Sequence, residues 1–230
     1  MRLSFTSTAC QGKTTLVNDF IKQWPSYKKS KESYRDLIKE GKIKNLNKQV
    51  NEESQWAILN ALVKDQNETR KGDNVVFDRC ALDNLAYSLW GYEHGLISKE
   101  FIDKCIPLVK ESMRKLDIIF FIPITNVVIQ KKESRETDPA YIKEVDCIFK
   151  AIHYQQQKGQ CAFFPKDDMP PIIEVFGSPE QRVEIIKIYL DQVGELRDTP
   201  NFLTMEGVDM MTDLLNTQKE VLAVEKKLKF

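Results

Sequence analysis

Chemistry is most legible in the run Ser7-Thr8-Ala9-Cys10-Gln11-Gly12-Lys13-Thr14-Thr15. It follows an apolar stretch, opens a helical pattern, and matches G-x-x-x-x-G-K-[ST] except that Ser7 stands at the first glycine position. A loop of this kind turns successive backbone N–H groups inward onto phosphate oxygens, and the helix behind it adds partial positive charge. Gly12 permits close backbone approach, Lys13 reaches the β- and γ-phosphates, and the Thr14 hydroxyl ligates Mg²⁺. Ser7, Cys10, Gln11, Gly12, Lys13, Thr14 and Thr15 are thus the expected contacts of a nucleoside triphosphate, read as ATP. A serine at position 7 is tolerable where its φ is negative.

A second charged group closes the apolar run Asn74-Val75-Val76-Phe77 as Asp78-Arg79. A carboxylate at that strand end holds Mg²⁺ through water, or takes a proton from an attacking hydroxyl. Arg79 beside it suits a phosphate of donor or acceptor. Asp83 either reaches the site or caps the helix that follows, and Tyr87 reads as core. Glu32 and Arg35 lie i, i+3 on one helix face. Gln55 and Gln66 offer amides that could meet a base edge. The polar run Gln130–Asp138 carries Lys131, Lys132 and Arg135, a segment suited to close over phosphates as a lid. Arg135 is the preferred catalytic cation there, because its planar fork fits phosphate oxygens.

Together, the P-loop, Glu32-Ser33-Tyr34-Arg35 and Asp78-Arg79-Cys80-Ala81-Leu82-Asp83 resemble the P-loop nucleoside and nucleotide kinases. The similarity is closest to ribosylnicotinamide-kinase-like and AAA-type ATPase-kinase families, including versions carried by bacteriophages. It spans roughly residues 1–195. It implies that Glu32 and Arg35 face the acceptor, and Gln55 and Asp83 are read from their own positions as further substrate contacts. It also implies that Asp78 serves the metal or the acceptor hydroxyl, that Arg135 is the lid arginine, and that Gly177 and Ser178 flank the adenine. Arg182 is then placed to stack on the base. The stretch between Glu32 and Gln55 fits no acceptor-specific pattern.

These side chains need a scaffold. Five short apolar runs read as buried strands: Arg2–Thr6, a weak one at Tyr27–Lys29, then Asn74–Asp78, Ile118–Pro123 and Ile172–Phe176. Helical patterns lie between them at Lys13–Gln23, Ser33–Glu40, Glu52–Thr69, Ala81–Trp90, Lys99–Lys115, Pro139–Gln157 and Glu180–Gln192. Ser98, Asp138 and Ser178 are natural N-caps, the last two each followed by proline at the first helical position. Alternating strands and helices predict an α/β fold, a mostly parallel five-stranded sheet with helices on both faces, and a helical lid near 130–140. Every chemical motif then falls at a strand's carboxyl end, where such sheets bind ligands. The chain divides into a P-loop domain over 1–197 and a helical extension over 198–230 that leaves a homodimer open.

Composition narrows the field. With 34 Lys plus Arg against 34 Asp plus Glu, the 230-residue chain has no global pull towards nucleic acid or anionic membrane. No run is long and apolar enough to span a bilayer, no signal peptide is legible, and the expected location is cytoplasmic. Five cysteines without a C-x-x-C pair suggest reduced thiols rather than disulfides or zinc. The sequence thus points to an enzyme using ATP and Mg²⁺ to phosphorylate a nucleoside or nucleotide. The alternatives are a kinase of a modified base in DNA, disfavoured by the neutral charge, and a P-loop ATPase acting through a partner. Such an ATPase should carry a water-positioning Glu after the strand-end Asp, and here that residue is Arg79.

Overall fold

The protein is described by a computed structural model covering residues 1–124, 136 and 138–198. The lid cations Lys131, Lys132 and Arg135, and the extension beyond Asp198, lie outside the described residues.

Five parallel strands form one sheet in the order β2-β3-β1-β4-β5. They are β1 (Arg2–Thr6), β2 (Lys28–Lys29), β3 (Val75–Asp78), β4 (Ile118–Phe121) and β5 (Ile172–Glu174). Alternation within each strand splits the core in two. Leu3, Phe5, Val76, Ile118 and Phe120 pack on α1 (Lys13–Gln23) and α7 (Pro179–Tyr189). Phe77, Ile119 and Phe121 face the other way, onto α4 (Ala81–Glu93), α5 (Lys99–Met113) and α6 (Pro139–Gln157). Two-sided burial is why the central strands read as continuous apolar runs rather than alternating ones. A satellite cluster joins α2 (Ser33–Lys39) to α3 (Glu52–Asn67) through Tyr34, Ile43, Ile58 and Leu62.

The five expected strands and the seven expected helices that fall within the described residues are present, with ends that differ for local reasons. Tyr27 is not in β2; its ring packs edge-on to Phe20 and its hydroxyl donates to the Gly194 carbonyl. β4 stops at Phe121, two residues before Pro123, which has no N–H for the ladder. β5 stops at Glu174, α2 at Lys39, α3 at Asn67 and α5 at Met113, each short of its expected end. α7 ends at Tyr189 because Leu190 turns extended and bridges Leu196. α4 instead runs past Trp90 to Glu93. The predicted caps hold: Ser98 accepts from Phe101 N–H, Asp138 from Ala140 N–H and Ser178 from Gln181 N–H. Among the described residues no helix is long and apolar enough to cross a membrane.

After α7 the chain folds back on α1. The Trp24 indole donates to the Asp191 carbonyl at 2.8 Å, and Tyr27 reaches Gly194 at 2.6 Å. Gly194 has φ +91°, and a Cβ there would lie 2.6 Å from the Tyr27 ring and 3.1 Å from Trp24. Gly194→Ala should therefore cost about 2–3 kcal/mol, from backbone strain plus overpacking against fixed rings. Gly95→Ala is the control, since Gly95 also has positive φ but open space around it. Thermal unfolding should show the larger loss at position 194; equal losses would mean that the aromatic contact does not hold this loop.

Candidate active site

β1 and β3 are neighbours, with Phe5 paired to Asp78, so the P-loop leaves the sheet directly beside the Asp78 carboxylate. The loop then turns into α1 through Gly12, which takes a left-handed φ of +77°. A Cβ at Gly12 would meet the Arg182 guanidinium at 3.2 Å. Arg182 is itself buried, donating to the carbonyls of Gln11 and Gly177. It braces the phosphate loop through these two hydrogen bonds. Ser7 is fully buried, and its φ is not among the positive ones, as the replacement of glycine there requires.

The buried heart of the site is a charge cluster. The Lys13 ammonium lies 3.2 Å from Asp83 Oδ1 and 3.7 Å from Asp78 Oδ1, with all three side chains at most 8% exposed. Burial and the nearby Arg79 push Lys13 below its ordinary value, while the two carboxylates pull it back. Burial works to raise the Asp78 carboxyl. Lys13, Arg79, the Thr14 hydroxyl and Arg35 outweigh it and hold Asp78 below the usual carboxylate range. Thr14 Oγ1 donates to Asp78 Oδ2 at 2.9 Å. Asp83 fills both roles expected of it, since its other oxygen accepts from the Cys80 N–H at 3.0 Å and caps α4.

Around this core stand further charged residues. Arg35 donates to Glu32 Oε1 at 2.6 Å and to Asp78 Oδ2 at 3.4 Å. Lys29, which sequence inspection passes over, lies 3.0 Å from Glu32 and 3.9 Å from Asp78. Arg79 has φ +110°, a strained value for a side chain of its size. That turn lets Asp78 face the phosphate loop while the guanidinium lies 5.5 Å from the Tyr87 ring and 5.9 Å from Tyr34. Burial would lower Arg79, but Tyr87, Tyr34, Asp83 and Asp78 more than compensate, and it stays a cation.

Two cavities meet here. One, of about 380 Å³, is lined by Ser7–Thr14 with Tyr34, Arg35, Asp78, Arg79 and Glu136. The other, of about 110 Å³, is lined by Tyr34, Gln55, Ile58, Leu62, Asp83, Asn84 and Tyr87 among others. They share Tyr34, Ile38, Leu46, Asn47 and Arg79. Gln55 is not on a solvated helix face; its Oε1 accepts from Asn84 at 2.7 Å and Ser88 at 3.3 Å. Gln66 is buried elsewhere, accepting from Ser112 between α3 and α5, and touches neither cavity. Tyr87 is buried as expected and also walls the smaller cavity. Thr15 is exposed on the first turn of α1, and Gly177 and Ser178 open α7; none of the three lines these cavities.

Thr14 and Asp78 fit a magnesium ion. They are hard oxygen donors, and Asp78 Oδ1 is buried without a hydrogen-bond partner. The profile of a family described as an AAA domain matches residues 2–169. The chain belongs to this family. No curated protein matches it. Among solved structures, the NadR protein in complex with NR is similar, with TM-score 0.51 and 15% identity over 71% of this chain. This chain spans only 44% of that one. Deoxyadenosine kinase from M. mycoides is similar with TM-score 0.57 and 15% identity, over 81% of this chain and 96% of that one. Thymidylate kinase from Candida albicans has TM-score 0.58 and 14% identity, over 86% and 96%. At these identities the likeness establishes the fold, an all-parallel P-loop sheet shared with nucleoside and nucleotide kinases.

The charge cluster predicts a stability effect. Lys13→Ala removes the one buried ammonium that pairs with both Asp78 and Asp83 and should lower stability by about 3 kcal/mol. Adding Asp83→Asn should recover part of the loss, because an amide can keep the helix cap without a charge. Thermal melts of the single and double variants test this; a single variant as stable as wild type would mean that Lys13 does not balance Asp78 and Asp83.

Proposed function

We propose that the protein is an ATP-dependent phosphotransferase that moves the γ-phosphoryl group of ATP to a hydroxyl of a nucleoside or nucleotide. The observation that carries this reading is the second cavity, joined to the phosphate loop through Tyr34 and Arg79. Hydrolysis of ATP needs only water beside the γ-phosphate, whereas transfer needs a shaped site for an acceptor. The names of the similar structures, which mention nucleosides and nucleotides, support the same class of acceptor.

In this reading the backbone of Ser7–Thr14 and the Lys13 ammonium hold the triphosphate. Thr14 and Asp78 would hold Mg²⁺, which supplies charge neutralisation to the phosphates when bound. The depressed Asp78 carboxyl makes it a better cation holder than proton acceptor. As the bond between the γ-phosphorus and the ADP oxygen breaks, a bond forms to the acceptor hydroxyl oxygen. The hydroxyl proton is lost late, onto the transferred phosphoryl group and then water, so positioning and charge stabilisation carry most of the catalysis. Arg79 steadies the group between the cavities, and Arg135, known here from the sequence alone, would join it from the lid. A slow ATPase working through a partner is disfavoured by Arg79, which stands where a water-positioning Glu would follow Asp78.

Incubation with γ-labelled ATP and Mg²⁺ against nucleosides, nucleoside monophosphates, ribosylnicotinamide and DNA with hydroxymethylated bases should move label to a small-molecule acceptor. Label released only as free phosphate, at one rate with every acceptor, would overturn the reading. Asp78→Asn should reduce transfer at least about a hundredfold while retaining nucleotide binding; full activity in that variant would remove Asp78 from the mechanism.

A further inference from the structure

Three of the cations at and beside these cavities, Lys13, Lys29 and Arg35, are already engaged by carboxylates. Arg35 commits Nε to Glu32 and Nη2 to Asp78. Lys29 reaches the other oxygen of Glu32 at 3.0 Å. Lys13 is held by Asp83 and Asp78. Arg79 lies against the rings of Tyr34 and Tyr87. Among the described residues, Lys13, Arg35 and Arg79 are the cations lining these two cavities, and Glu136 adds a further carboxylate to the larger one. The donor's triphosphate draws on whatever positive charge remains. A phosphate on the acceptor would need an uncommitted guanidinium fork, and Arg35 does not offer one while Glu32 holds it.

A second observation comes from the smaller cavity. Two of its lining groups, the Tyr34 hydroxyl and Asn84 Oδ1, are buried without a hydrogen-bond partner. Buried polar atoms normally find partners, so unpartnered ones on residues that line a cavity are candidates to meet a ligand's polar atoms. Both are neutral. With Ile58 and Leu62 beside them, they suit a flat uncharged head group with polar edges.

We infer that the acceptor is an unphosphorylated nucleoside rather than a nucleoside monophosphate, and that Glu32 enforces this by occupying Arg35 and Lys29. The inference rests on the phosphotransferase reading for its chemistry, but its selectivity is a property of binding. Glu32 is well placed for such a role. It precedes α2 with φ +55°, a left-handed value that strains a glutamate, and its side chain is only 15% exposed. Here it acts as a specificity residue, setting the charge an acceptor meets without touching the transferred group.

The test pairs adenosine, cytidine, guanosine, thymidine and ribosylnicotinamide with their 5′-monophosphates. Binding is measured by calorimetry on the full chain with a non-hydrolysable ATP analogue and Mg²⁺, and transfer is measured with ATP. Wild type should bind at least one nucleoside about tenfold or more tightly than its monophosphate. Glu32→Gln should shift that ratio about tenfold towards the monophosphate by freeing two cations, and Glu32→Asp should keep the wild-type preference. Wild type preferring the monophosphate, binding neither member of any pair, or an unchanged ratio in Glu32→Gln would each overturn the inference. The wild-type ratio tests it without any variant having to fold. Selective nucleoside binding without transfer would sink the phosphotransferase reading alone, and efficient transfer to monophosphates would sink this inference alone.

Discussion

The structure turns on one buried ammonium. Lys13 sits between Asp78 and Asp83, and those two carboxylates come from the end of β3 and the first turn of α4. Three elements that are distant in sequence therefore meet through a charge that none could bury alone. The arrangement also sets what the loop does. An ammonium balanced by carboxylates in a water-poor site is held in place before any phosphate arrives, so the phosphate-binding geometry is built in advance.

α4 does more than cover the sheet. It is almost wholly buried, yet it carries Asp83, Asn84, Tyr87 and Ser88 among its apolar residues. These four recur at helical spacing, so they share one face, and that face meets Gln55 on α3 and Arg79 at the end of β3. The same helix thus anchors Lys13 at one end of its first turn and walls the smaller cavity along the next. The strain at Arg79 belongs to this arrangement. A relaxed turn after Asp78 would move either the carboxylate away from Thr14 or the guanidinium out of its aromatic slot.

Much of this was readable from residues alone, because the strongest signals are local. The phosphate loop is defined by spacing, the strands by short apolar runs, and three helix starts by Ser or Asp caps. What escaped has a shared cause: it depends on which distant elements touch. Arg182 looks like any helix arginine until α7 is packed against α1, when it becomes the brace behind Gln11. Lys29 reads as a solvated charge until β2 is laid beside β3. Gln55 and Gln66 are eleven residues apart on one helix and look equivalent, yet α4 claims the first and α5 the second. The polar positions inside the otherwise apolar α4 were the available clue to the wall of the smaller cavity, since buried polar side chains need partners.

The shared wall between the cavities bears most directly on function. Tyr34 and Arg79 border both spaces, so anything in the smaller cavity approaches the phosphates through an aromatic and cationic gap rather than open solvent. Water excluded there is water that does not compete with an acceptor hydroxyl. Beside Asp78 the chain places a half-buried arginine, set between two tyrosines and unable to act as a base. A small polar pocket, a shared wall and a guanidinium at the crossing thus fit together as parts of one site, with the phosphate loop on one side and the smaller cavity on the other.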